Sequence, residues 1–178
     1  MRKIVVLMIL MGQFWACRQP VLPTDNPELV LKKMFPNSSD FECDTLENND
    51  LMFSFVADGY NSSAIFGRDS TFKNDKNVAQ KLQEVQQNWD FTLLPTEVLT
   101  GVKSFFKDFD AENVINLDKI SRYTGGGALE GIFYDIEYDD GENLVIVQFD
   151  AKGKLIQQNK IKLSDLEIQQ KEEEGVED

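Results

Sequence analysis

The chain has 178 residues and a mass of 20.3 kDa, enough for one domain or two small ones with a hydrophobic core. Hydrophobic residues make up 42% of it, which excludes a disordered chain, and its 18 basic and 31 acidic side chains leave a net charge of −13. Such a chain repels phosphate backbones, so we expect no nucleic-acid partner. With no histidine and two cysteines it cannot build a Ser-His-Asp triad, a histidine-containing zinc site or a four-cysteine site, and we expect no metal or cofactor.

The N-terminus has the layout of an export signal. A basic start, Met1-Arg2-Lys3, precedes an apolar stretch, and the small Ala16 stands directly before Cys17. The stretch that ends at Ala16 would form a helix about 20 Å long, too short for a hydrocarbon core of about 30 Å. We therefore predict a signal peptide over residues 1–16 and lipidation of Cys17, at a site similar to the lipobox of bacterial lipoproteins. The alternative is a cytosolic protein whose first apolar run is a buried strand.

The segments that flank the folded part are predicted from composition. Residues 17–25 contain two prolines and no periodicity, which is typical of a short tether between lipid and domain. Residues 164–178 are predicted to form an acidic, solvated tail. A lipid-anchored chain of this kind is expected in the bacterial cell envelope, at the outer membrane and facing the periplasm.

Two helices are predicted. Asn26-Pro27-Glu28 supplies an N-cap, a proline at the first helical position and an acid in the first turn, and Pro36 ends that helix. A second helix begins at Leu94-Pro95-Thr96-Glu97. It has the clearest apolar face in the chain, because residues spaced by i, i+4, i+7 and i+11 are all apolar, namely Val98, Val102, Phe105 and Phe109.

The rest of the folded part is predicted to be β-structure. Alternating apolar residues indicate strands, and Asp-Gly and Asp-x-x-Gly sequences indicate the turns between them. The predicted strands are residues 51–57, 62–66, 114–120, 129–138, 143–149 and 154–161, while residues 78–85 fit either a strand or a short helix. Cys43 lies on a further strand-like run and is predicted to be a buried small hydrophobe.

The two halves of the chain repeat each other in outline. Pro27-Glu28-Leu29 parallels Pro95-Thr96-Glu97, and the Asp-Gly turn at Asp58 parallels the one at Asp140. This repetition predicts an α+β fold of two tandem helix-plus-antiparallel-sheet units, over residues 26–93 and 94–163.

These residues resemble a known family, the PepSY-like, β-lactamase-inhibitor-like lipoproteins of Bacteroidota. The resemblance lies in the lipobox-like Cys17, the helix entry at Leu94-Pro95 with its aromatic Phe105-Phe106 end, and the closing hairpin over residues 145–155. It implies tandem helix-plus-sheet units whose sheets form a surface that can hold a protein partner. It implies no catalytic motif.

The function predicted from the sequence is a non-enzymatic binding or inhibitor-like lipoprotein that presents a sheet surface to an unknown envelope protein. Tyr123, Phe133 and Tyr134 are the candidate binding residues, because tyrosine is enriched at binding hot spots. The alternatives are a carrier or sensor that holds a small ligand or peptide between the two units, and a carboxylate-based hydrolase with two facing acids. A deep apolar cleft would favour the carrier, and a broad open sheet would favour the binding protein.

Overall fold

The computed structural model describes residues 26–68, 79–125 and 127–165. The predicted signal peptide over residues 1–16, the tether over residues 17–25 and all but the first two residues of the tail over residues 164–178 lie outside these ranges. The lipidation of Cys17 lies outside them as well and stays a prediction.

Both predicted helices form. Helix α1 spans Pro27–Met34, and the Asn26 side chain caps it by accepting a hydrogen bond of 3.0 Å from the Leu29 amide. Helix α2 spans Thr96–Phe105 and therefore ends one turn earlier than the apolar spacing predicted. Phe109 lies beyond its end but still packs with the same cluster, since its ring stacks on those of Phe91 and Tyr138 at centroid distances of 5.4 Å.

Eight strands form one antiparallel sheet in which each strand pairs with the next along the chain. All the predicted strands are present, and the part of the run over residues 78–85 from Gln80 onward belongs to a strand. The strands are β1 Ser39–Thr45, β2 Leu51–Ala57, β3 Tyr60–Arg68, β4 Gln80–Asn88, β5 Val114–Tyr123, β6 Leu129–Asp139, β7 Asn143–Asp150 and β8 Leu155–Lys162. Two short 3-10 helices, Phe91–Leu93 and Ala111–Asn113, flank α2 in sequence.

The predicted fold class, two tandem units each with its own sheet, is wrong. Strands β4 and β5 pair over five positions, from Glu84↔Arg122 to Asn88↔Asp118, so the sheet runs without a break through the whole domain. The prediction failed because alternation and turns identify strands but do not tell which strand edges meet. An unpaired edge leaves a row of backbone donors and acceptors open, and pairing β4 with β5 satisfies them on both strands.

The two helices lie on the same face of the sheet. Leu117 belongs to the core under α2, while Tyr123 on the same strand packs against the core under α1. Residues at even spacing point to one face of a strand, so both cores share that face. We call it the helix face, and the opposite side of the sheet the open face, because the described helices leave it uncovered.

Two hydrophobic clusters fill the helix face. Leu31 of α1 is fully buried on Phe53, Phe55 and Phe66 of β2 and β3, and Val98 and Val102 of α2 are fully buried on β5, β6 and β7. Cys43, predicted to be buried, is instead exposed on the edge strand β1. Edge strands bury fewer positions because no further strand or helix covers them.

The backbone of helix α2 packs directly against the backbone of the turn between β7 and β8. A Cβ atom on Gly101 would lie 2.2 Å from the Gly153 carbonyl oxygen, and one on Gly153 would lie 2.0 Å from the Glu97 carbonyl oxygen. Gly153 also has a φ of +76°, which side chains rarely tolerate. The two glycines therefore set how closely the helix packs on the sheet.

Candidate functional site

The three aromatic residues predicted to bind a partner do not come together. Tyr134 is buried in the cluster under α2, where burial raises the pKa of its phenol, and Tyr123 is half-buried on the same helix face. Phe133 lies on the open face, with the Arg122 guanidinium 4.8 Å above its ring. Consecutive strand residues point to opposite faces, so Phe133 and Tyr134 cannot serve one surface. Only Phe133 lies on a face that the helices leave uncovered.

The open face carries a connected network of amide and carboxylate side chains. Gln86 and Asn116 both donate to the Asp118 carboxylate at 2.9 Å, and the Asn88 amide donates to Asn116 at 2.8 Å. These four residues come from β4 and β5, the two strands that join the halves of the sheet. We call them the amide network.

Two further cross-strand pairs extend the polar surface on either side of Phe133. Arg122 and Glu84 form an ion pair of 3.0 Å, and Gln148 donates to Asp135 at 2.6 Å. Beneath these polar groups Ile120 is only 5% exposed, although it points away from both helices. On this face the polar side chains thus cover an apolar residue.

A groove of about 380 Å³ opens on this face. Its lining residues span five strands and include Asp40, Ser54, Val56, Asn61, Ser63, Gln86, Asn88 and Asp118. Ser54 and Ser63 pair directly across β2 and β3, and their small side chains leave room between the larger Met52–Ile65 and Val56–Asn61 pairs. The groove is therefore polar, and it forms where these small side chains leave room. It is continuous with the amide network.

Asp40 is directed to the groove by an irregularity of the edge strand. The register between β1 and β2 shifts between Ser39 and Glu42, and Asp40 within the shift has a φ of +55°. A bulge of this kind re-aims a side chain relative to its neighbours, and a left-handed non-glycine residue is uncommon. The groove therefore has a second carboxylate in its lining, in addition to that of Asp118.

The electrostatics of the open face are negative. Glu84, Asp118, Asp135 and Glu137 all point to it, and among the described residues of β4 to β7 the cations on this face are Lys81 and Arg122. Burial raises the pKa of Asp135, the Gln148 hydrogen bond and Arg122 lower it, and the nearby carboxylates Asp118 and Glu84 raise it further. The surface is thus suited to a basic or donor-rich partner.

Sequence reasoning missed this surface because of where its residues lie. Glu84, Gln86 and Asn88 alternate with Val85 and Gln87, but residues 78–85 could not be told apart from a helix by pattern. The alternation of polar residues at i, i+2 and i+4 was the available signal. Their partners on β5 could not be identified without knowing that β4 and β5 pair.

The described residues give little support to other kinds of site. In residues 26–68, 79–125 and 127–165, no group of three or more cysteine, aspartate or glutamate side chains is arranged to hold a metal ion. Within the same ranges, each helix is too short or too polar to cross a bilayer. The groove and the amide network are the candidate site on the open face.

Comparison with known proteins identifies the fold but not the family. No protein-family profile matches the chain, and no curated protein matches its sequence. The fold matches a structure from Bacteroides eggerthii DSM 20697, described among "putative periplasmic proteins", with a TM-score of 0.58 and 17% identity over 80% of this chain and 91% of that one.

Two further matches are proteins of the DUF2874 family. The one from Bacteroides uniformis ATCC 8492 has a TM-score of 0.54 and 15% identity over 79% of this chain and 90% of its own. The one from Bacteroides ovatus ATCC 8483 has a TM-score of 0.56 and 13% identity over 79% and 89%. At these identities the likeness shows that the chain shares the fold of these Bacteroides proteins over most of its length.

Proposed function

We propose that this chain is a non-enzymatic binding protein of the bacterial envelope that presents the open face of its sheet to a protein partner. The observation that carries the proposal is that both helices cover one face, while the other carries the amide network over the nearly buried Ile120. Polar side chains that hold one another in place lose little entropy on binding, so such a surface is preorganised for a partner.

The partner's chemistry follows from the charge of the face. Glu84, Asp118 and Asp135 make the surface acidic, so a partner with a basic patch gains both association rate and specificity there. The hydroxyl groups of Ser54 and Ser63 and the amide of Asn61 line the groove and add hydrogen-bonding positions for the centre of the interface. Phe133 with Arg122 above it supplies an aromatic anchor at the border of the network.

The location in the envelope is part of the proposal. It is supported by the signal layout before Cys17 and by the description of a Bacteroides protein with this fold as periplasmic. Lipid anchoring at Cys17 and membership of the PepSY-like lipoproteins extend the same idea. The absence of histidine from the chain supports a non-enzymatic role, because histidine is the commonest general base.

The carrier alternative is less well supported. A carrier of small molecules buries most of its ligand in a largely apolar pocket. The groove on the open face is lined mainly by serine, asparagine, glutamine and aspartate and extends across the sheet surface. This broad polar face favours the binding protein over the carrier.

The test compares two serine-to-arginine variants of the full-length, membrane-bound protein. Ser63→Arg inserts a long basic side chain into the groove, and Ser104→Arg makes the same change at an exposed position of α2 on the other side. Each is purified by affinity from detergent-solubilised envelope, and the captured proteins are quantified by mass spectrometry. We expect a partner captured equally by the wild type and Ser104→Arg, and reduced at least tenfold with Ser63→Arg.

The circular dichroism spectra of both variants must match the wild type for the comparison to hold. A partner lost equally with both variants, or kept with Ser63→Arg and lost with Ser104→Arg, would refute the use of the open face. A partner kept by all three proteins would refute it as well.

A further inference from the structure

Strand β8 forms one edge of the sheet and is almost entirely exposed. It pairs with β7 on one side, from Asn143↔Lys162 to Phe149↔Leu155, and it is last in the strand order. Most of its residues are exposed, including Ile156 at 48%. A strand of eight residues in this position presents a row of outward backbone groups to other chains.

The outward groups can be identified from the hydrogen bonds of the β7–β8 pair. The Leu163 amide donates to the Glu142 carbonyl at 3.1 Å, so within residues 157–163 the backbone groups of odd-numbered residues bond to β7 and those of even-numbered residues face away from the sheet. The register shifts between Gln148 and Phe149, so this alternation does not extend to the start of β8. Consistent with this, the outward amide of Lys160 is bonded by the side chain of its neighbour Asn159 at 2.9 Å. That short side chain can move aside when another strand supplies a carbonyl.

A pocket of about 440 Å³ lies directly beside this edge on the helix face. Phe105 and Phe106 at the end of α2 and Val145 of β7 provide its apolar part, and Gln158 and Lys160 of β8 form its outer wall. It is wide enough for one large apolar side chain. An edge strand next to a helix, with a pocket between them, is the arrangement that binds extended peptides by strand addition.

The charge around β8 indicates which kind of peptide this edge would bind. Residues 151–163 contain four lysines and no acid, in a chain whose net charge is −13. Lys107 adds a further positive charge at the pocket, whereas Asp140 is already bonded to Lys160 at 2.8 Å. Opposite charges on neighbouring strands stabilise pairing, so an acidic segment fits this edge best.

We infer that β8 binds an extended acidic peptide segment as an additional strand, with a large apolar side chain of that segment in the pocket beside α2. Lysines alone would be the usual protection of a free edge against aggregation. An apolar pocket against the same edge is not needed for protection, and it supplies the side-chain specificity of strand addition. This site is distinct from the open face and does not depend on the function proposed for it.

The probe is a fluorescein-labelled synthetic peptide of eight residues that alternates glutamate with valine and carries one central phenylalanine. Binding to the full-length protein is followed by fluorescence anisotropy. Replacing the phenylalanine with alanine should weaken binding at least tenfold, because the large apolar side chain then no longer fills the pocket. Raising the salt concentration to 1 M should also weaken binding, because the pairing of lysines with glutamates is screened.

The decisive protein variants are Gln158→Pro and its matched control Gln158→Ala. Both remove the same side chain from the pocket wall, but only proline removes an outward amide, and its ring is tolerated at such an edge position. We expect Gln158→Ala to bind the peptide within about threefold of the wild type and Gln158→Pro to bind at least tenfold more weakly.

Peptides methylated on single backbone nitrogens provide a test that leaves the protein unchanged. In strand addition only alternate peptide amides face β8, so methylation should abolish binding at every second position and leave the others unaffected. No binding of the parent peptide at 1 mM, equal binding by the proline and alanine variants, or a methylation pattern without alternation would each overturn the inference.

Discussion

The carboxylate of Asp135 on the open face lies in surroundings that disfavour its charged form. Its pKa lies above the ordinary 3.8, because burial and the neighbouring carboxylates outweigh the Gln148 hydrogen bond and Arg122. An acid with a raised pKa in the folded state costs stability wherever it is ionised. The cost is fully present at neutral pH and disappears as the pH falls below 3.8, where the acid is protonated in both states.

We therefore expect Asp135→Asn to raise the melting temperature at pH 7 and to leave it unchanged near pH 3. The amide keeps an oxygen that can accept the Gln148 bond, so the substitution removes mainly the buried charge. Glu137→Gln is the control, because it removes one negative charge from the same face two residues along the strand. An equal rise for both variants, or a gain for Asp135→Asn that persists at pH 3, would contradict the burial of this charge.

At the scale of an element, the docking of α2 depends on a close backbone contact as well as on buried side chains. Gly101 is half-buried against Gly153, while Val98 and Val102 are fully buried on either side of it along the helix. Alanine is ordinarily a better helix former than glycine by about 1 kcal/mol. For Gly101→Ala, the close contact with Gly153 predicts a loss of stability, whereas helix propensity predicts a gain.

We expect Gly101→Ala to lower the free energy of unfolding by about 1 to 3 kcal/mol, the usual cost of overpacking, despite the gain in helix propensity. Thr100→Ala, at the exposed neighbouring position, should change it by less than about 0.5 kcal/mol. Urea unfolding of the two variants and the wild type measures the difference. A Gly101→Ala protein more stable than the wild type would mean that α2 does not pack on the β7–β8 turn.

The sequence predicts the elements well where a local signal fixes them. Asn26 with Pro27 determines the start of α1, and the Asp-Gly sequence at Asp140 determines the turn between β6 and β7, where Asp140 accepts bonds from the amides of Glu142 and Asn143. The end of α2 was not predictable in this way. Phe109 keeps the helical spacing but packs from a loop, and apolar spacing alone does not distinguish these cases.

At the scale of the whole molecule, the decisive feature is the pairing of β4 with β5. It turns two similar halves into one sheet and brings Gln86 and Asn88 next to Asn116 and Asp118, which creates the amide network. Residues 28 or more apart in sequence meet there, and no local pattern encodes such a contact. For the same reason the candidate site could not be predicted, although Asn116 and Asp118 lie on a predicted strand; Gln86 and Asn88 lie just beyond the predicted run over residues 78–85.

The central claim, that the open face holds the protein partner, is tested most directly by site-specific photocrosslinking in intact cells. A photoreactive benzoylphenylalanine replaces either Asn88, exposed at the groove on the open face, or Ser104, exposed on α2. We predict a discrete crosslinked adduct of higher mass from position 88 and none from position 104. Adducts from position 104 alone, or the same adducts from both positions, would contradict the claim.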